Sequence, residues 1–176
     1  MVTIFDTRIL RELSSGRTNI LDAGCGDGRQ APYLARRTGG SVHGYDISDE
    51  RITVAECFKK KHNIPNATFS VANHDDFQPP YKMDLIYTAG SLIGDDEIPY
   101  ENSNPLMESE EIVRRRLSKF REIMLPNGLY IIEWGANQET NGQFVGIAES
   151  CGLIHLSARE WYPGGYLSDM ILLFRR

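Results

Sequence analysis

No stretch of this 176-residue chain stays apolar long enough to cross a bilayer. Nor does its start combine a basic segment, a long apolar run and a small-residue cleavage site. A soluble, cytoplasmic protein is the expectation. Cysteine is scarce: Cys25, Cys57 and Cys151 are odd in number, widely spaced and free of CxxC or Cys/His patterns, and the four histidines are isolated. This composition supplies no disulfide framework and no metal site. Basic charge is also short. Against 24 Asp and Glu stand 19 Lys and Arg, a net charge of −5, so a broad phosphate-binding surface and a nucleic-acid partner are not expected. The two basic runs, Lys59-Lys60-Lys61 and Arg114-Arg115-Arg116, read as solvated helix faces. The first complements a helix C-terminus, and the second can pair with Glu108, Glu110 and Glu111. Linkers rich in proline, glycine or serine are missing too, as are internal repeats. With 41% hydrophobic residues, one domain over 1–176 with a real core is expected.

What the chain does have is concentrated in Asn19-Ile20-Leu21-Asp22-Ala23-Gly24-Cys25-Gly26-Asp27-Gly28. A short apolar run meets an acid and then breaks into alternating glycines, the pattern of a buried parallel strand delivering its carboxyl end to a ligand. Glycine permits positive φ and has no Cβ, so backbone can turn sharply and approach a nucleoside closely. Gln30 to Arg37 then reads as a helix whose N-terminus faces the same crevice. A dinucleotide site asks for G-x-G-x-x-G/A, but the third position here is Arg29. Asp22 would repel a pyrophosphate and suits a cofactor with a cationic amino group. A nicotinamide dehydrogenase therefore ranks last. Cys25, near a helix N-terminus, could have a lowered pKa; a small residue fitted to a tight loop is the preferred reading.

Strands and helices alternate along the rest of the chain. A helix is expected at Thr3–Leu13, then the first strand, the helix through Arg37 and a break at Gly39-Gly40. A second strand ends near Asp46, and Ser48 is placed to N-cap a helix from Asp49 to about His62, stopped by Asn63 and Pro65. Strand three starts near Ala67, and strand four covers Asp84–Thr88. The polar stretch from Gly90 to Pro105 leads to a helix over Leu106–Met124 and strand five at Gly128–Glu133. A helix over Asn141–Cys151 precedes two strands, near Leu153–Ser157 and Asp169–Arg175, whose short link without helical period suits an antiparallel hairpin. The class is α/β, a mostly parallel sheet covered by helices on both faces.

The segment Asp22-x-Gly24-x-Gly26-x-Gly28 closing a strand resembles motif I of the class I S-adenosylmethionine-dependent methyltransferases. The likeness continues in order through Val42–Ser48, with its acid at Asp46, then Phe69–Phe77, Met83–Thr88 and Phe120–Glu133. Asp46 lies about twenty residues past the glycines, where a carboxylate can accept from ribose hydroxyls. The resemblance implies a seven-stranded sheet in the order 3-2-1-4-5-7-6 with strand seven antiparallel. It also implies S-adenosyl-L-methionine as cofactor. Contacts would come from Asp22, Gly24, Cys25 and Gly26 in the first turn, Asp46 and Ile47 after the second strand, Asn73 and His74 at the adenine turn, and Thr88 closing strand four. The family's usual Asp is Asn73 here. Its amide oxygen can still accept from an adenine amino group, and its alternative role is that of a turn former.

Methyl transfer asks the protein to align the methyl with a nucleophile and exclude water, with a general base only where the acceptor arrives protonated. Candidate groups are Glu133 at the end of strand five, Asp95 with Asp96 and Glu97 after strand four, and Tyr166 near Trp161 and Tyr162 in the last hairpin. Gln78-Pro79-Pro80-Tyr81 resembles the Pro-Pro-Tyr motif of nitrogen-directed enzymes but precedes strand four, where it cannot grip an acceptor. A small-molecule acceptor is the leading reading. The alternatives are a protein or RNA methyltransferase, and a cofactor-binding partner subunit without catalysis.

Overall fold

The computed structural model describes residues 18–89, 91–92, 110–135, 138–161 and 169–176, except for the side chains of 134–141, 157–161 and 169–173. The helix expected at Thr3–Leu13 and the polar stretch beyond Leu92 lie outside these residues. Seven strands share one sheet in the order β3-β2-β1-β4-β5-β7-β6. They are β1 (Asn19–Ala23), β2 (Ser41–Asp46), β3 (Ala67–Val71), β4 (Met83–Ala89), β5 (Met124–Gly135), β6 (Ile154–Trp161) and β7 (Asp169–Arg175). β1 pairs with β2 and β2 with β3 in parallel, whereas β7 runs antiparallel to both β5 and β6. Strand order and final hairpin both match the expectation.

The chain divides into two compact units, one ending at Tyr87 and the other beginning at Thr88. In the first, α1 (Ala31–Thr38) starts with proline in its first turn and ends where Gly39 takes φ 70° and its N–H bonds Ala35 O. α2 (Asp49–His62) has the expected limits. Ser48 accepts from Arg51 N–H, Asp49 and Glu50 sit in the first turn, the lysine run closes the last, and Asn63 caps at φ 49°. Ile20, Leu21, Leu34, Val42, Tyr45, Ala55 and Ala67 form the core of this unit. Asp84 accepts from Asn19 N–H at 2.7 Å, so the acid that opens β4 fastens the start of β1.

In the second unit, α3 (Glu110–Ile123) buries Val113, Leu117, Phe120 and Ile123 at helical spacing. Arg114 pairs with Glu110 one turn earlier, as expected of a solvated run. Arg116 departs from that expectation. It lies on the buried stripe, 5% exposed, and donates to Leu92 O at 2.6 Å. Three consecutive helical positions span most of a turn, so they cannot all face solvent. β5 is longer than the sequence suggested: the strand begins at Met124, directly after α3, and passes through Asn127 at φ 64°. α4 (Gln138–Ser150) starts three residues earlier than expected, and β6 extends to Trp161 with an irregularity between His155 and Ser157. Tyr130, Phe144 and Phe174 are fully buried, and the Phe174 ring lies about 6 Å from each of the other two.

Candidate cofactor site

β1 delivers its last residue, Ala23, into a turn in which three glycines have positive φ: Gly24 at 72°, Gly26 at 52° and Gly28 at 71°. A side chain at any of them would force a strained left-handed residue. At Gly28 space forbids it as well. A Cβ there would lie 2.7 Å from Ala55 Cβ and 2.8 Å from the Phe69 ring. The extra glycine of the sequence motif is thus the point where the turn passes between α2 and β3.

The turn is fastened to the end of β2. Cys25 N–H donates to Tyr45 O at 2.8 Å, and Gly26 N–H donates to Asp46 Oδ2 at 2.9 Å. Asp46 Oδ1 accepts from Ser48 N–H at 3.0 Å. One carboxylate, 6% exposed, therefore joins the glycine turn, its own strand end and the start of α2. Beside it Ile47 is 71% exposed, and Val71, the β3 partner of Asp46 in register, is 50% exposed. Two apolar side chains flank a buried carboxylate.

Asp22, 2% exposed, completes the acidic surroundings of Cys25. Burial pushes the Cys25 thiol well above its ordinary range, and Asp22 and then Asp46 push it further. Burial overrides any lowering by a helix N-terminus, and Cys25 is a protonated packing residue. Its sulfur is one reason Gly44 must be glycine, since a Cβ at 44 would meet Phe69 and Cys25 Sγ at 2.7–2.9 Å.

Asn73 serves its own turn. Its Oδ1 accepts from both Asp75 N–H and Asp76 N–H at 2.8 Å, and its Nδ2 donates to Asp76. His74 is buried, with Nδ1 bonded to the Tyr45 hydroxyl at 2.7 Å. Tyr45 stacks on Phe77 with ring centres 4.2 Å apart, and His43 stacks on the same ring at 5.3 Å. His43 is bonded through its two ring nitrogens to the hydroxyls of Thr68 and Ser70, and burial lowers its pKa. The sequence singled out neither Tyr45 nor Phe77; their value lies in contacts across strands that no local pattern displays.

The remaining candidates separate. Thr88 is fully buried, and its hydroxyl lies 3.0 Å from that of Tyr130. β4 continues one residue further than expected, to Ala89, which moves the strand end past Thr88. Glu133 is half-buried on β5, opposite Ile171 of β7. Asp95 and Tyr166, with Asp96, Glu97 and Tyr162, lie outside the described residues, as does the Trp161 side chain. Among the described residues no group of three or more His, Cys, Asp or Glu is placed to hold a metal, and no helix is long and apolar enough to cross a membrane.

Comparison with known proteins fits this arrangement. Residues 14–157 match the methyltransferase-domain family. The chain is 35% identical over 71 residues to a 2-heptyl-1-hydroxyquinolin-4(1H)-one methyltransferase of Mycobacteroides abscessus, a match covering 39% of this chain and 31% of that enzyme. Among solved structures it is similar to a TehB-like S-adenosylmethionine-dependent methyltransferase from Corynebacterium glutamicum. The TM-score is 0.64 at 25% identity, covering 98% of this chain and 88% of that one. The N-methyltransferase NodS from Bradyrhizobium japonicum, solved with S-adenosyl-L-homocysteine, shares the fold at a TM-score of 0.70 and 17% identity, over 96% and 84% of the two chains. The sheet order, the glycine turn and a family match over most of the sequence agree: this chain belongs to the methyltransferase-domain family.

Proposed function

We propose that the protein methylates a small-molecule acceptor and holds S-adenosylmethionine against the turn from Gly24 to Gly28. The observation that carries the cofactor placement is the Asp46 carboxylate, fixed on Gly26 N–H and Ser48 N–H next to an apolar surface of Ile47 and Val71. Each carboxylate oxygen has a second lone pair, so Asp46 can accept from ribose hydroxyls without releasing the main chain. Ile47 offers an apolar surface to the purine, and the glycines leave room for main chain to approach the sugar and the amino acid moiety. Asp22 and Cys25 line the same turn, with Asp22 supplying negative charge toward the ammonium group. Because Asn73 Oδ1 already accepts two main-chain N–H groups, Asn73 and His74 shape the adenine turn and present main chain to the base.

The cofactor supplies a methyl already activated on a sulfonium, which the acceptor takes by in-line displacement. The protein's task is alignment and exclusion of water. Glu133 is proposed as the acid that orients or deprotonates the acceptor, with Asp95 and Tyr166 as further candidates on the segments after β4 and β6. The acidic balance of the chain and the stretch shared with the quinolone methyltransferase support a small acceptor, with hydroxylated nitrogen heteroaromatics the first class to try. The test is incubation with methyl-labelled S-adenosylmethionine and separate panels of hydroxy-heteroaromatics, amines, thiols, total protein and total RNA. Label in a small molecule supports the proposal. Label confined to protein or RNA, or transfer to nothing by a protein that binds cofactor, would replace it with one of the alternatives.

A further inference from the structure

Away from the glycine turn, three polar side chains of β2 and β3 meet on one face of the sheet. His43 stands opposite Thr68 in the parallel register and Ser70 lies two residues further along β3, so all three share that face. His43 Nδ1 is 2.8 Å from Thr68 Oγ1, and its Nε2 is 3.0 Å from Ser70 Oγ. The Phe77 ring, stacked on the imidazole at 5.3 Å, restrains its plane. Thr68 decides which nitrogen carries the proton. Its hydroxyl donates to Val42 O at 3.5 Å, and with that single proton committed it accepts from His43 Nδ1–H. The neutral imidazole then has its lone pair on Nε2, where the Ser70 hydroxyl donates. Burial lowers the His43 pKa, which keeps the ring uncharged and able to take a proton at neutral pH.

A hydroxyl bonded to a neutral imidazole whose other nitrogen is oriented by a third group is the layout of nucleophilic acyl transfer. We infer that Ser70 is a nucleophile activated by His43, with Thr68 orienting the imidazole, and that together they form an acylation site for small activated esters. The Ser70 Oγ–acyl bond forms as the donor's ester C–O bond breaks. The serine proton passes to His43 Nε2 and from there to the departing oxygen. Main chain supplies the remaining part. β3 ends the sheet order among the described residues. Val42 N–H bonds Asn66 O and Ala72 N–H bonds Asp46 O, so even-numbered residues of this strand face β2 and odd-numbered ones face outward. The N–H of Val71, next in the chain to Ser70, is thus turned to the outer edge, available to the oxyanion that develops during attack. Val71 is 50% exposed and Ser70 is half-buried, which gives a small donor access. Threonine, unlike a carboxylate, brings no charge to steady an imidazolium, and a half-open face does not exclude water. Both restrict the site to donors with a good leaving group, such as aryl esters. The site is separate from the glycine turn and does not depend on where the cofactor binds.

The probe is p-nitrophenyl acetate, added to the whole protein at neutral pH, with acetylated positions mapped by proteolysis and mass spectrometry. Hydroxylamine, which removes acetyl from hydroxyl oxygen but not from amines, separates serine esters from lysine amides. Ser41, exposed on β2 and bonded to no imidazole, is the internal reference. The expected result is acetylation of Ser70 at least about a hundredfold faster than of Ser41, the lower end of what a positioned base contributes. Ser70→Ala should remove that label and His43→Gln should bring Ser70 down to the Ser41 rate. Thr68→Val should slow it, whereas Thr68→Ser, which keeps the hydroxyl, should retain it. Nitrogen NMR of the unaltered protein, which needs no variant to fold, should show His43 protonated on Nδ1 and bare on Nε2. Ser70 labelled no faster than Ser41 overturns the inference, as does fast labelling that survives His43→Gln, or a proton resident on Nε2.

Discussion

Three glycines of the N-terminal unit separate backbone strain from steric crowding, and alanine at each should yield a defined ladder of stability losses. Gly39 has φ 70° and nothing within 4 Å of an added Cβ, so Gly39→Ala carries only the left-handed penalty, about 1–2 kcal/mol. Gly44 has no positive φ, but its Cβ would sit 2.7–2.9 Å from Phe69 and Cys25 Sγ, so Gly44→Ala measures overpacking alone, about 1–3 kcal/mol. Gly28 combines the two. Its φ of 71° nearly equals that of Gly39, and its Cβ would press on Phe69 and on Ala55. Phe69 can swing its ring end, but Ala55 Cβ is fixed to α2, so the turn or the helix must shift. Gly28→Ala should therefore lose about 2–5 kcal/mol, a large part of the stability of an ordinary domain. Urea unfolding followed by circular dichroism gives the three values from midpoint and slope. Gly28→Ala together with Phe69→Leu should recover part of the loss, because one of the two clashes is relieved. A Gly28→Ala value within about 0.5 kcal/mol of Gly39→Ala would refute the close packing of the turn between Ala55 and Phe69.

Two further outcomes follow from burial. The Cys25 thiol is raised in the folded protein, so the folded state holds its proton where the unfolded chain has lost it. Stability is then fully present below the ordinary thiol pKa of about 8.5 and falls as pH rises past it, and Cys25→Ala should flatten that decline. With thiol reagents at neutral pH, exposed Cys57 should react long before buried Cys25, and fast labelling of Cys25 would contradict the burial argument. His43 has the opposite sign. Its pKa is lowered by burial, so stability should be lost as pH falls below about 6.5, where the unfolded imidazole takes a proton first. An NMR titration showing His43 protonating at or above the ordinary value would sink that reading.

What the sequence revealed was local. Alternating glycines after an apolar run marked the turn, Ser48 before Asp49 marked the start of α2 and Asn63 its stop, because caps and positive φ are set within a few residues. Contacts between distant residues were hidden. Tyr45 and His74 lie 29 positions apart, and whether the Asn73 oxygen serves its own turn or a ligand depends on where Asp75 and Asp76 N–H point. Asp46 was legible as an acid at the right distance, but not as the residue fastening Gly26 and Ser48. Thr88 looked like a strand end, yet β4 ran on to Ala89 and left the hydroxyl in the core. Arg116 was hidden inside a basic run whose first member behaves as a surface residue should.

The central claim is that S-adenosylmethionine is held at the junction of glycine turn and second strand through Asp46. Calorimetric titration of the cofactor into the protein and into Asp46→Ala, with Asp46→Asn retaining one acceptor oxygen as the milder variant, tests it most directly. Saturable binding to the unaltered protein is expected, with a loss of at least about tenfold in Asp46→Ala from missing hydrogen bonds to a charged group at roughly 1.5–3 kcal/mol each, and a smaller loss in Asp46→Asn. Unchanged affinity in a folded Asp46→Ala protein, or no binding to the unaltered chain at millimolar cofactor, would contradict the claim.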